Sequence, residues 1–301
     1  SSTTMRTTRI LTLILFLGAV ALSNPVAAQG KRIPIQNRGS DSMAIAVAAW
    51  SEAYQRVDKL VGVAVSGGGS GTGIAAMING LVDIANSSRS LLKKEINMAK
   101  EAGVDLQEHI VGYDAVAVYL HPDNPLKSLS FAQLGGMFGR GGKLTRWTDL
   151  GGEVPGCKDQ QIVLVSRQNS SGTYAYFRKQ VIGEKFRNKF RADVLGMQAS
   201  KDVVDLVGKT PCAIGYSSFA YAVPSVKTAC ITPETGSGCV NPGTESITDR
   251  SYPMIRPLYM YTNGQPEGEI KKYMDWVVSD EGQCILAERQ YAPLGSPACE
   301  E

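Results

Sequence analysis

Residues 60–79 read LVGVAVSGGGSGTGIAAMIN, which is a strand pattern, a glycine-rich loop and a helix pattern in succession. The apolar run at residues 60–65 is typical of a buried strand, and residues 74–79 indicate a short helix. Between them the glycines leave the backbone bare, while Ser70 and Thr72 add hydroxyl groups. A strand that leads through a loop into a helix is the repeating unit of an α/β fold.

The same unit recurs on both sides of this segment. Ile33 and Ile35 alternate as in a strand, Gly39 and Ser40 turn the chain, and Ser42 has the position of an N-cap for the next helix. Further strands are predicted at residues 81–87, 109–126, 161–167, 213–216 and 256–263, and further helices at 90–103, 173–183, 200–210, 267–279 and 280–294. The strand-like runs at 109–126 and 256–263 are long enough to cross between two lobes.

We therefore expect an α/β fold of two lobes, each a mostly parallel sheet flanked by helices, with two hinge strands between them. Residues 29–114 and 256–301 are predicted to form lobe I, and residues 115–255 to form lobe II.

The first residues have the pattern of a secretory signal. Arg6 and Arg9 precede an apolar stretch at residues 10–22, and small residues lead up to Ala28. The apolar stretch is shorter than the ~20 residues that a membrane-spanning helix needs, which disfavours a membrane anchor. We expect residues 1–28 to be a signal peptide cleaved after Ala28, with residues 1–4 as an upstream extension or the result of a wrong start.

Composition and charge exclude several classes of partner. The chain is 43% hydrophobic and 20% charged, as in ordinary globular proteins, and its net charge is +3. Loss of Arg6 and Arg9 with the signal would lower that charge by two, to +1. We expect no binding to nucleic acid or to an anionic membrane. Any selectivity for anions must come from the residues of a local site rather than from the net charge of the chain.

Six cysteines in an exported chain predict disulfides. Proximity favours Cys230–Cys239 and Cys284–Cys299, which leaves Cys157–Cys212 by elimination. The alternative, a metal site, is disfavoured because the chain has no C-x-x-C motif and His109 and His121 lie far from every cysteine in sequence. We expect no metal and no cofactor.

Three hydroxyl-rich loops lie where a strand meets a helix: GSDSM at residues 39–43, GGGSGTGI at 67–74 and SRQNSSGTYAYF at 166–177. Hydroxyls and free backbone amides at a helix start can bind a small anion, and Arg167 adds a fork of charged donors. Ligands of α/β proteins bind at the carboxyl ends of the strands, where these loops would meet.

Other chemistries fit these loops less well. No lysine follows the glycines as a P-loop requires, and the glycine spacing differs from a dinucleotide fingerprint. A secreted serine hydrolase or phosphatase with Ser70 or Ser171 as nucleophile remains an alternative, although neither serine has a histidine nearby in sequence. A surface adhesin or signalling module, with residues 230–249 as its added loop, is a further alternative.

The segments SGGGSGTGI, VDIANSSR, SRQNSSGTY and CAIGYSSFAYA resemble the PstS family, the periplasmic phosphate-binding proteins of ABC importers. The resemblance covers residues 33–294 and implies the type II periplasmic-binding fold, with phosphate in the cleft between the lobes. It also implies side-chain or backbone donors to phosphate at eight positions: Ser42, Met43, Ser70, Ser88, Arg167, Ser171, Gly172 and Thr173.

The chain departs from some members of that family at two positions. Ser88 stands where they carry an aspartate that accepts the proton of hydrogen phosphate, and Asn169 stands where they carry a carboxylate that pairs with the clamp arginine. A shorter branch of the family shares the Ser-Arg pair at Ser88. Sulfate or another tetrahedral oxyanion is therefore an alternative ligand. Arg89 could add charge to the cleft, and Asp41 could replace the missing proton acceptor.

The resemblance implies an extracytoplasmic solute-binding protein rather than an enzyme. We expect a periplasmic monomer that captures inorganic phosphate and delivers it to the permease subunits of an ABC transporter.

Overall fold

Strands and helices alternate along the chain as the sequence patterns predict. The computed structural model describes residues 31–234 and 236–301, so the predicted signal at residues 1–28 lies outside the described residues. The strands are β1 (Ile33–Gly39), β2 (Val61–Ser66), β3 (Ile84–Ser87), β4 (Leu106–Leu120), β5 (Ser128–Ser130), β6 (Val163–Arg167), β7 (Leu195–Met197), β8 (Ala213–Ser218), β9 (Lys227–Thr228), β10 (Cys230–Thr232) and β11 (Ile255–Asn263). The α-helices are α1 (Ala44–Val57), α2 (Ser70–Ile78), α3 (Lys93–Glu101), α4 (Phe131–Phe138), α5 (Gly172–Phe177), α6 (Ser200–Lys209), α7 (Thr244–Thr248), α8 (Gly268–Val277) and α9 (Asp280–Glu288).

Two groups of parallel strands carry the hydroxyl-rich loops. In the first, β1 lies between β2 and β3 and is parallel to both. In the second, β6 lies between β7 and β8 and is parallel to both. Parallel neighbours need a crossover connection, which helices supply here. In each group the carboxyl ends of parallel strands lie along one edge, where the predicted site loops follow β1, β2, β3 and β6.

The strands β4 and β11 connect the two groups. The long strand β4 pairs with β11 over residues 106–115 and with β8 over residues 116–120, both times antiparallel. In turn β11 pairs antiparallel with β3, so the main sheet has the order β2-β1-β3-β11-β4-β8-β6-β7. These strands have the positions predicted for the hinge strands. The lobe boundaries themselves stay predictions, and β4 changes partner close to the predicted boundary at residue 115.

Each group of strands packs against its own apolar cluster. Trp50, Tyr54 and Trp276 belong to the cluster around β1, and Trp50 Nε1 donates to the carbonyl of Gly282 at 2.7 Å. In the other group, the rings of Phe177 and Tyr216 stack with centroids 3.9 Å apart. Burial of large side chains contributes roughly 2 kcal/mol each. Both clusters thus hold the loops on rigid supports.

Helix α2 begins earlier than the sequence pattern predicted. The prediction placed its start at Ile74, but the helix starts at Ser70 and includes Gly71 and Gly73. A Cβ atom on Gly73 would collide with the backbone of Arg38 and Gly39 at the end of β1. This glycine is retained inside a helix, despite its low helix propensity, because α2 packs directly on the strand.

All six cysteines form disulfides, in the pairs that proximity and elimination predicted: Cys157–Cys212, Cys230–Cys239 and Cys284–Cys299. Within the described ranges, no helix combines the length and the apolar character that a membrane crossing requires.

Candidate anion-binding site

The serine hydroxyls of three loops converge in the interior. Ser88, after β3, accepts a hydrogen bond from Ser40 Oγ at 2.9 Å. Its Oγ lies 3.3 Å from Ser70 Oγ, and its backbone amide donates to that same oxygen at 3.0 Å. All three serines are buried. The loops after β1, β2 and β3 therefore form one chain of hydroxyl groups, and Ser40 is a member that sequence reasoning missed.

A second hydroxyl contact joins the two groups of strands. Ser42 Oγ lies 2.6 Å from Thr173 Oγ1, although the two residues are 131 positions apart. The prediction that Ser42 caps α1 is wrong, because Ser42 lies in a 3-10 turn (Asp41–Met43) and α1 begins without a side-chain cap. Tyr291 donates to the carbonyl of Ser42 at 2.5 Å and holds that turn in place. The Ser42 hydroxyl is therefore directed to the site rather than to its own helix.

Met43 and Ser171 have local roles alongside their predicted ones. The amide of Met43 donates to the carbonyl of Ser40 at 3.2 Å, and its side chain lies in the apolar cluster around β1. Ser171 caps α5, because its Oγ accepts from the amides of Thr173 and Tyr174 at 3.1 and 3.3 Å. An oxygen that accepts from amides keeps its own O–H free to donate.

Gly172 lies against the serines of the other group. A Cβ atom at this position would collide with Ser70 Oγ and Ser88 Oγ. The Cα of Gly172 therefore lies closer to these two hydroxyls than a residue with a side chain could, and its role as an amide donor stays a prediction.

Arg167 is buried at the end of β6, but its donors are directed away from the hydroxyl chain. Nη1 donates to Ser200 Oγ at 2.9 Å, Nη2 to the carbonyl of Gln198 at 3.0 Å, and Nε to that of Met197 at 3.3 Å. Burial lowers the pKa of Arg167, and the negative charge of Asp41 opposes that change.

Asp41 supplies the carboxylate that the sequence lacks near Arg167. Its Oδ2 lies 3.6 Å from Arg167 Nη2 and accepts from the amide of Ser200 at 2.7 Å. Asn169, where some relatives carry that carboxylate, is exposed. An acid from another loop therefore takes the place of the carboxylate that is missing at Asn169.

Arg89 is committed to an ion pair next to its own loop. Its two terminal nitrogens bind both oxygens of Glu95 at 2.9 and 2.6 Å. Such a bidentate pair compensates most of the arginine's charge. The hypothesis that Arg89 adds charge to the cleft receives no support from this geometry.

The arginine that contacts the hydroxyls is Arg256, in β11. Its Nη2 donates to Thr173 Oγ1 at 2.9 Å and to Asp114 Oδ2 at 2.8 Å, and its Nη1 lies 3.4 Å from the carbonyl of Ser88. Both Arg256 and Asp114 are buried. The sequence carries a signal for this pair, since each charge stands in an apolar stretch of its strand, where a charge requires a partner.

The glycine loop closes onto the loop after β6. The amide of Gly71 donates to the carbonyl of Ser170 at 3.0 Å. The carbonyl of Gly68 accepts from Ser170 Oγ at 3.1 Å and from Gln168 Nε2 at 3.3 Å. These bonds cover the hydroxyl chain, which explains why its serines are inaccessible.

The serine hydroxyls of this site bond other protein groups. Ser70 bonds Ser88 and Ser171 caps a helix; within the described residues, neither hydroxyl bonds a histidine that could act as a base. The described residues also contain no group of three His, Cys, Asp or Glu side chains placed to hold a metal. Many neutral donors around two compensated arginines can bind a dehydrated tetrahedral oxyanion.

Comparisons with known proteins place the whole sequence in a family. A family model described as the PBP superfamily domain matches residues 19–281. The phosphate-binding protein PstS of Pseudomonas aeruginosa is 27% identical over 320 residues, which cover 99% of this chain and 98% of that protein. The phosphate-binding protein PstS of Bacillus subtilis is 32% identical over 257 residues, which cover 85% of this chain and 79% of that protein.

A solved structure extends the similarity to the fold. A phosphate ABC transporter substrate-binding protein from Clostridium perfringens, so named and solved with bound phosphate, superposes with a TM-score of 0.76 at 29% identity. The match covers 87% of this chain and 100% of that chain. The predicted type II periplasmic-binding fold is confirmed.

Proposed function

This chain belongs to the PstS family of phosphate-binding proteins, and on that premise we propose that the buried hydroxyls of its strand-end loops bind inorganic phosphate. The convergence of Ser42, Ser70, Ser88 and Thr173 from four loops is the observation that carries the proposal. These hydroxyls now bond one another, and each could exchange that bond for one to a phosphate oxygen. Ser171 and the amides of Met43 and Gly172 complete the proposed site together with Arg167, which would exchange one of its present bonds to Ser200 or a backbone carbonyl for a bond to the anion.

Specific binding of phosphate would depend on hydrogen-bond donors rather than on the net charge of the site. Phosphate loses its hydration when it is buried, so each of its oxygens must find hydrogen-bond donors in the protein. Arg167 and Arg256 are compensated by Asp41 and Asp114, which limits the charge at the site. Affinity would then arise from the number and direction of the donors.

Closure of two lobes would bury the ligand. We assign residues 29–114 and 256–301 to one lobe and residues 115–255 to the other, with β4 and β11 as the hinge. The bonds from Gln168, Ser170 and Gly71 across the cleft support a closed arrangement of these lobes. Opening would break these bonds and interior ones such as Ser42–Thr173 and Asp41–Ser200, and leave the apolar clusters intact.

The signal pattern and the family together support an extracytoplasmic, periplasmic location for the mature chain. The Clostridium perfringens neighbour is named for an ABC transporter, so we infer that this chain is a monomeric, non-catalytic receptor that delivers phosphate to ABC permease subunits.

A second candidate ligand is sulfate or another tetrahedral oxyanion. Ser88 favours it, because a hydroxyl can donate to an ionised oxyanion where an aspartate would repel it. Competition calorimetry would separate the two ligands: ready displacement of phosphate by excess sulfate supports the broader specificity.

Titration calorimetry of the mature protein with phosphate at neutral pH tests the proposed function. We expect binding by the wild type and an affinity at least about tenfold lower in Arg167→Ala, because a charged donor is lost. Arg89→Ala is the matched control, since Glu95 already binds that arginine. The phosphate affinity of this variant should stay within about threefold of the wild-type value. No heat and no thermal shift with phosphate in the wild type would contradict phosphate binding. Unchanged affinity in Arg167→Ala would contradict only the site assignment.

A further inference from the structure

Arg256 and Asp114 form an ion pair in the middle of the sheet. The two residues are directly opposite each other in the antiparallel pairing of β11 with β4, the strands that connect the two groups. Asp114 Oδ2 accepts from Nη2 of Arg256 at 2.8 Å and from Nε at 3.2 Å, and Asp114 Oδ1 accepts from Ser218 Oγ at 2.7 Å. Asp114 is 0% exposed and Arg256 2% exposed, so the guanidinium has one fixed position.

The other donors of Arg256 contact one site hydroxyl and one backbone carbonyl. Nη2 donates to Thr173 Oγ1, which in turn contacts Ser42 Oγ, and Nη1 is directed to the carbonyl of Ser88. Arg167, by contrast, has its donors bound to Ser200 and to backbone carbonyls. Of the two buried arginines, Arg256 is the one in contact with the hydroxyl groups.

Arg256 also borders open space. Together with Ser88 it lines a cavity of about 330 Å³ next to the hydroxyl chain. The guanidinium plane faces Tyr176, whose ring centroid is 5.7 Å from the Arg256 Cζ. An anion that reached the hydroxyls from this cavity would pass the guanidinium of Arg256.

We propose that Arg256 is a second anion-binding arginine of this protein, which donates to a phosphate oxygen through the nitrogens that now contact Thr173 and the Ser88 carbonyl. This inference rests on the proposed function. Asp114 holds the guanidinium in place and compensates its charge. The arginine therefore contributes hydrogen-bond donors of fixed direction rather than uncompensated positive charge. The fork shape is essential, because one group must bind a carboxylate and the anion at the same time.

The substitution Arg256→Lys tests this role, because lysine keeps the positive charge beside Asp114 but cannot bind two partners as a fork. We expect the dissociation constant for phosphate, measured by calorimetry, to rise at least about tenfold, while the unfolding midpoint of the ligand-free protein changes little. Arg191→Lys is the matched control, since Arg191 pairs with Asp193 at 3.2 Å on the surface. A constant within about threefold of the wild type in Arg256→Lys would overturn the proposal.

A crystal structure of the wild type with phosphate keeps the proposal testable if Arg256→Lys fails to fold. We expect a terminal nitrogen of Arg256 within about 3.2 Å of a phosphate oxygen. A separation beyond about 4 Å would overturn the proposal. If the wild type itself binds no phosphate, the proposed function fails, whereas binding that is unaffected by Arg256→Lys removes this inference alone.

Discussion

Gly69 lies against the carbonyl oxygen of Ser170, so closely that a Cβ atom on the glycine would be 2.6 Å from that oxygen. The two residues belong to the loops that close over the hydroxyl chain, and Gly69 has a φ of +105°. Both features require a glycine at this position.

We predict that Gly69→Ala weakens phosphate binding about tenfold or more, because the methyl group strains the backbone and separates the two loops. Gly67→Ala is the matched control: it lies in the same loop, and a Cβ atom there would meet nothing within 4 Å. Calorimetry on both variants checks the prediction. Equal affinities in the two variants would show that contact between these loops does not contribute to binding.

The Thr173 hydroxyl bonds both Arg256 and Ser42. Thr173→Val keeps the shape but removes this hydroxyl, so we predict that phosphate affinity falls about tenfold or more. Thr173→Ser keeps the hydroxyl and should stay within about threefold of the wild type. Loss of affinity in the serine variant equal to that in the valine variant would assign the effect to packing rather than to the hydrogen bond.

Ser88 accepts from Ser40 and lies next to Ser70, so a carboxylate in its place would still have two hydroxyl donors. We predict that Ser88→Asp retains binding of hydrogen phosphate and lowers sulfate affinity relative to phosphate at least about tenfold, because the ionised side chain repels an anion without a proton. Ser88→Asn, which has a similar size and no charge, is the control. Competition of sulfate against phosphate measures the ratio, and an unchanged ratio in Ser88→Asp would contradict the prediction.

The Asp114–Arg256 pair predicts a pH-dependent stability. Burial raises the pKa of Asp114, and the positive charge of Arg256 opposes that rise. In Arg256→Gln the pKa of Asp114 rises further. An acid whose pKa is higher in the folded than in the unfolded state stabilises the fold in its protonated form. This stabilisation is complete at pH values below the unfolded-state pKa and is lost as the pH rises through the folded-state pKa.

The free energy of unfolding of Arg256→Gln should therefore fall further and further below that of the wild type as the pH rises through the range in which Asp114 ionises in the folded protein. Urea unfolding across this range, without phosphate, measures the difference. The double variant Arg256→Gln with Asp114→Asn has no acid at this position, so its difference from the wild type should vary less with pH. A pH-independent difference for the single variant would exclude Asp114 as its origin.

Local patterns in the sequence predicted most of the architecture. The alternation in β1, the apolar run of β2 and the glycine loop each depend on residues close in sequence, and short-range patterns encode them directly. The disulfide pairs followed in the same way, because two of them close short loops. The position of α2 was less predictable, since Gly73 is tolerated in the helix only because of a strand that lies elsewhere in the chain.

The site shows where sequence alone was insufficient. The sequence indicated the three hydroxyl-rich loops and Arg167, because hydroxyls, glycines and an arginine at strand ends are recognisable as an anion-binding pattern within short segments. The pairing of Asp41 with Arg167 and of Asp114 with Arg256 was decided only by the tertiary structure. Each pair joins segments far apart in sequence, and strand register and loop packing determine which charges meet. A buried charge must have a partner, but only the fold selects which one.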